Sequence, residues 1–86
     1  MSRVLEMLEL ERQSFERHGV EVRAVLLTAA GLRDILAHAA PDDPRLERLP
    51  DGKLRVFGLS PIYDDTRGPM LMDEIELGNY RRTAGR

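Results

Sequence analysis

Five carboxylates, Asp64, Asp65, Asp73, Glu74 and Glu76, crowd between residues 64 and 76, and this is the chain's main grouping of side chains that could do chemistry. If a turn folded the segment back on itself, some of them would converge, which would suit a hard cation such as calcium or magnesium. Their order is not that of a calcium loop, and no general acid or base partner is marked beside them. The plainer reading is a solvated turn followed by an edge strand whose negative charge opposes self-pairing. His18 and His38 each close a predicted helix, where the negative end of the helix dipole accounts for them without a ligand role. Ser14, Thr28 and Ser60 lack a nucleophile-elbow context. No glycine pattern matches a phosphate-binding loop. The chain has no cysteine, which excludes a disulfide scaffold, a thiolate zinc site and a thiol nucleophile. The expectation is a protein that is not an enzyme, with no catalytic or metal-ligating residue and no cofactor.

Charge narrows the partners. The net charge is −2, which offers no global attraction to nucleic acid, so none is expected. The distribution is uneven. Residues 64–77 carry five acids against Arg67, whereas residues 78–86 carry Arg81, Arg82 and Arg86 and no acid. A basic tail can touch phosphates, but three charges beside the single aromatic Tyr80 fit a solvated tail or an acidic patch on a neighbouring chain better. No apolar run approaches the roughly 20 residues a membrane-spanning helix needs. Arg3, Glu6 and Glu9 interrupt the apolar character a signal peptide requires. A cytoplasmic location is therefore expected.

These side chains must be positioned by a small fold. Eighty-six residues suffice for one domain, with roughly 64% of the unfolded surface buried and a correspondingly thin core. Residues 2–18 read as a helix capped by Ser2, with Val4, Leu5, Leu8 and Phe15 on one stripe and Gly19 suited to its end. Residues 20–28 alternate as a strand whose second half is apolar on both faces, the pattern of a covered central strand. Thr28 can cap a second helix over 29–40, whose stripe Leu32, Ile35, Leu36 and Ala39 should face the core, and Pro41 stops it. Residues 41–52 form a loop in which Leu46 and Leu49 could make one helical turn. Residues 53–59 and 70–77 read as strands around a turn at 64–69, and should be antiparallel neighbours. Met70 and Met72 share one strand face and suit the core. The fold class is α+β: helix, strand, helix, strand, strand, with two helices packed on a three-stranded mixed sheet. The domain would occupy residues 1–78 and a basic flexible tail residues 79–86.

Three stretches resemble the central domain of tailed-phage major capsid proteins. Residues 22–36, VRAVLLTAAGLRDIL, supply an apolar strand, a closing Thr and a short helix. Residues 53–65, KLRVFGLSPIYDD, place Gly58, Leu59 and Pro61 where that family has a Gly-x-Pro-Val type motif, with Ser60 inserted. Residues 68–75, GPMLMDEI, end near an acid, Asp73, without the family's preceding glycine. The long spine helix, extended arm and extended loop of a shell-forming subunit are missing. The resemblance implies a small phage- or prophage-encoded protein with a related core, and a virion location if so encoded. What it implies of function is a structural, non-enzymatic role through contact with other chains. It implies no catalytic residue.

The functional expectation is therefore a structural or assembly protein acting through protein–protein contacts. The alternative is a small regulatory module that inhibits a host or phage protein. A thin core rich in sheet edges favours a protein partner or a homo-oligomer. The first helix is long for so small a core, so Val4, Leu5 and Leu8 are expected to lack intrachain cover and to pack on a neighbour, with Arg81 and Arg82 as further contact residues.

Overall fold

The structure, a computed structural model, describes residues 1–84. It is α+β, as expected, with eight elements in chain order. These are α1 (Arg3–Arg17), β1 (Ala24–Leu27), α2 (Ala29–His38), β2 (Leu46–Arg48), β3 (Leu54–Val56), β4 (Ile62–Tyr63), β5 (Met70–Met72) and α3 (Glu74–Ala84). The first two helices begin where their capping residues place them. The Ser2 hydroxyl accepts from the Leu5 amide at 3.1 Å, and the Thr28 hydroxyl accepts from the Gly31 amide at 2.9 Å. Asp34 of α2 then ties the two helices together. Its carboxylate accepts from the Ser2 hydroxyl at 2.7 Å and from the Val4 amide at 3.0 Å, so one side chain satisfies orphan donors at the start of α1. Gly31, an unfavourable residue so early in a helix, lets the helices approach. A Cβ there would meet the Thr28 hydroxyl oxygen at 3.2 Å and the Val4 side chain at 3.6 Å.

β1 is the central strand of a three-stranded mixed sheet, and all four of its residues are buried. β4 runs parallel to it on one side, with Leu26 opposite Ile62, and β5 antiparallel on the other, with Val25 opposite Leu71. The strands expected over residues 53–59 and 70–77 are therefore not neighbours: β5 lies beside β1, β4 takes the other side of β1, and β3 belongs to a separate sheet. β2 and β3 form a separate antiparallel hairpin, Leu46 opposite Val56, where a helical turn was expected before residue 50. Leu46 and Val56 face the core from that hairpin. The first expected strand is also shorter than read. Residues 20–23 lie outside the ladder save for the Arg23 amide, which donates to the Met72 carbonyl at 2.8 Å.

Two cores lie on the two faces of the sheet. Leu5 and Leu8 of α1, Ile35 of α2 and Leu54 and Val56 of the hairpin pack with Val25, Leu27 and Leu71. On the other face Ala24, Leu26 and Met72 pack with Tyr80 of α3, joined by the half-buried Ile62, Met70 and Leu77. The third expected strand ends at Met72, and the expected tail is helix from residue 74 as far as Ala84. Asp73 and Glu76 explain the switch by capping reciprocally. The Glu76 amide donates to the Asp73 carboxylate at 2.8 Å, and the Asp73 amide donates to the Glu76 carboxylate at 3.3 Å. Leu77 and Tyr80, three apart, then face the sheet, so the expected boundary at residue 78 falls inside an element of the fold. Gly85 and Arg86, the end of that tail, lie outside the described residues.

Two further details correct the expected stripes. Leu36 is 48% exposed, because α2 lays Gly31 against α1 and Ile35 on the core, with Leu36 turned beyond Ile35 to the solvent side. α1 is fully used along its inner stripe, since the hairpin extends the surface it packs against.

Candidate protein-contact surface

The expected contact residues separate into two kinds. Leu5 and Leu8 are fully buried in the core between α1, α2 and the sheet, and Val4 packs against the same core. The expectation that they lack intrachain partners is therefore overturned. The β2–β3 hairpin and α2 supply the cover that the sequence reading did not foresee. Arg81 and Arg82, in contrast, stand exposed on the last turns of α3, with the Arg82 guanidinium donating to the Asn79 side-chain oxygen.

The carboxylates of residues 64–76 are employed singly. Asp65 accepts from the Ala29 amide at 2.6 Å, adding a second cap to α2. Asp64 accepts from the Thr66 amide at 2.8 Å, the Thr66 hydroxyl at 2.6 Å and the Tyr80 hydroxyl at 2.8 Å. The Thr66 and Tyr80 hydroxyls together hold the Asp64 carboxyl down at about 2. Its bond to Tyr80 in turn raises the phenol above its ordinary range. The Arg67 guanidinium covers the Tyr80 ring at 5.4 Å. Asp73 and Glu76 cap α3, and Glu74 is exposed. Among the described residues, no three of these or other acids and histidines are gathered so as to hold a metal ion. No helix among them is long and apolar enough to cross a membrane.

What remains outside is apolar and grouped. On α1, Met7 and Leu10 are one turn apart, 43% and 67% exposed, on the side away from Leu5 and Leu8. Elsewhere the chain's two phenylalanines meet across a groove. Phe15 at the end of α1 and Phe57 beyond β3 form its walls with Val20, Val22 and Leu59. The groove encloses about 480 Å³. A tight turn positions Phe57. Its φ is 52° and that of Gly58 is 77°, left-handed values that suit the two central residues of a hairpin turn. The Val56 and Leu59 backbones hydrogen-bond across it at 2.9 and 3.0 Å. A phenylalanine in this conformation is disfavoured by on the order of 1 kcal/mol or more, which packing must offset. The ring packs on the core, and the Arg12 guanidinium lies 5.9 Å from its centre. Arg12 is itself held by Glu9 at 2.7 Å and Glu16 at 3.2 Å.

The groove was not legible from spacing, since its two aromatic walls are 42 positions apart. The one local signal was Phe57-Gly58 between apolar residues, a dipeptide that permits a hairpin turn at its second position. No family model matches the chain, and neither a curated protein nor a solved structure matches it.

Proposed function

We propose that this protein is a non-enzymatic structural or assembly component that works through contacts with other protein chains. The observation that carries the reading is the outward stripe of α1. Met7 and Leu10 present adjacent apolar side chains to solvent while the opposite stripe of the same helix is fully engaged. An amphipathic helix with apolar groups on both sides suits a position between two chains. The resemblance of residues 22–36, 53–65 and 68–75 to the central domain of tailed-phage capsid proteins supports a structural role and a phage origin. Self-association into a homo-oligomer, in the cytoplasm or in a virion, is the form this function takes in our reading.

Sedimentation velocity over a wide concentration range tests it. The expected result is concentration-dependent association that Met7→Lys with Leu10→Lys weakens at least several-fold, with far-ultraviolet circular dichroism unchanged. A wild-type chain that stays monomeric at every concentration would count against self-assembly.

A second reading, a small regulatory module that captures a segment of another protein, is favoured by the groove between Phe15 and Phe57. It is concave, aromatic and formed by three separate parts of the chain.

A further inference from the structure

The groove does not end at Phe15. Val20 and Glu21 form part of its wall and also part of a second hollow, of about 350 Å³, that runs on past Arg23 to Asp73, Glu74 and the exposed Ile75. The two hollows adjoin at Val20 and Glu21, which line both, with Phe57 in the first and Ile75 in the second. Their charge is one-sided. Glu16, Glu21, Asp73 and Glu74 line them against Arg12 and Arg23. Both guanidiniums are already engaged, Arg12 by Glu9 and Glu16 and Arg23 by Glu21 at 3.4 Å. The carboxylates of Glu16 and Glu21 remain largely exposed despite these pairs, and carry lone pairs that one guanidinium does not exhaust.

We propose that the groove between Phe15 and Phe57, with the hollow adjoining it at Val20 and Glu21, seats a cationic segment of a partner protein, one that inserts an apolar anchor between Phe15 and Phe57 and a second beside Ile75 while its lysines or arginines meet the Glu16–Glu21 rim. The inference rests on the second reading above and specifies its partner. The apolar walls supply the desolvated anchor sites on which peptide affinity usually depends. The acidic rim supplies orientation and a faster encounter with a basic partner, and repels an acidic one. The α3 segment of a second copy is a poor occupant. Its basic residues Arg81 and Arg82 share the helix with Leu77 and Tyr80, and those two are committed to the chain's own core. The exposed Ile75 has no such commitment, but it belongs to the acidic start of the helix.

The test uses the full chain labelled with nitrogen-15 and two probes, an amphipathic leucine–lysine peptide and its leucine–glutamate counterpart. Amide shifts are followed during titration at low and high salt. The expected result is that the lysine peptide moves the signals of Phe15, Val20, Val22, Phe57 and Leu59. Its affinity should fall about 3–10-fold between low and high salt, because exposed charges are then screened. Glu16→Gln with Glu21→Gln should weaken it by a similar factor while the remaining spectrum is unchanged. Equal binding of the glutamate peptide at the same residues would overturn the proposed charge selectivity and leave the binding-module reading standing. Shifts confined to other surfaces, or none with either peptide at millimolar concentration, would overturn both.

Discussion

The two faces of the central sheet are built on different terms. On one, two helices and a hairpin converge on Val25, Leu27 and Leu71, and the buried residues form a continuous apolar mass. On the other, α3 covers Ala24, Leu26 and Met72, and among the described residues Leu77 and Tyr80 reach inward from it. Its attachment relies in part on polar contacts, the Tyr80 hydroxyl on Asp64 and the Asp73–Glu76 cap. The first face buries the larger share of the described apolar core. The second is a lightly held layer, and it carries the exposed basic residues Arg81 and Arg82. The contrast teaches where such a small chain places its risks. The first face adds polar ties such as Asp34 to a large shared apolar core, whereas α3 brings few apolar groups to the sheet and leans on the Asp64–Tyr80 bond, which acid weakens.

The largest expected effect breaks the first face outright. Leu5→Glu with Leu8→Glu would bury two carboxylates without partners, a cost of several kcal/mol per charge, against a total stability of about 5–15 kcal/mol. Circular dichroism should show an unfolded chain. A folded monomer would return these leucines to the surface. For a milder change on the same face, Leu8→Ala should cost about 2–5 kcal/mol in urea unfolding.

On the second face the polar fastening is expected to matter less. Tyr80→Phe removes one hydrogen bond to a carboxylate while keeping the ring, and should cost about 1 kcal/mol near neutral pH. The loss should depend on pH in a defined sense. Asp64 sits at about 2 when folded against an ordinary 3.8, so its contribution is complete above about pH 4 and disappears as pH falls through 2. Tyr80 is raised from 10.0, so its share is complete below pH 10 and is lost on further deprotonation. Urea titrations at pH 7 and pH 2 should therefore show the wild type and Tyr80→Phe converging in acid. Equal separation at both would mean that Asp64 is not the partner that matters.

The smallest effect sharpens the boundary of the first face. Leu36→Ala, at a half-exposed position, should change stability by about 0.5 kcal/mol or less, as surface substitutions do. A loss of 2 kcal/mol or more would put Leu36 in the core after all.

How much of this could be read in advance follows the range of the interactions. α1 and α2 were legible to within two residues, because Ser2, Thr28, Gly19 and Pro41 are local signals and act within a turn. The central position of β1 was legible in its doubly apolar second half. α3 was missed because Met70–Leu77 alternates well enough to pass for a strand, and among the described residues the helix offers Leu77 and Tyr80 to the core. The Asp73-x-x-Glu76 pair was the available signal. Which leucines of α1 were covered depended on Asp34 and on a hairpin some 40 positions away, which no window of sequence contains. Asp64 and Asp65 lie in the expected turn, but their particular duties depend on distant donors, Tyr80 and Ala29, whereas Asp73, Glu74 and Glu76, read as an edge strand, cap and begin α3 instead. Of the expected contact residues, Arg81 and Arg82 stand exposed on α3. The groove between Phe15 and Phe57 exists only in the folded chain.

Native-state hydrogen exchange tests the inequality of the two faces most directly. Amides in the middle of α1, such as those of Leu8 and Arg12, should exchange only through global unfolding. Those of Tyr80 and Arg81 in α3 should open at a free energy lower by about 1 kcal/mol or more, and lower still at pH 2. Equal protection of α1 and α3, unchanged by acid, would contradict the account.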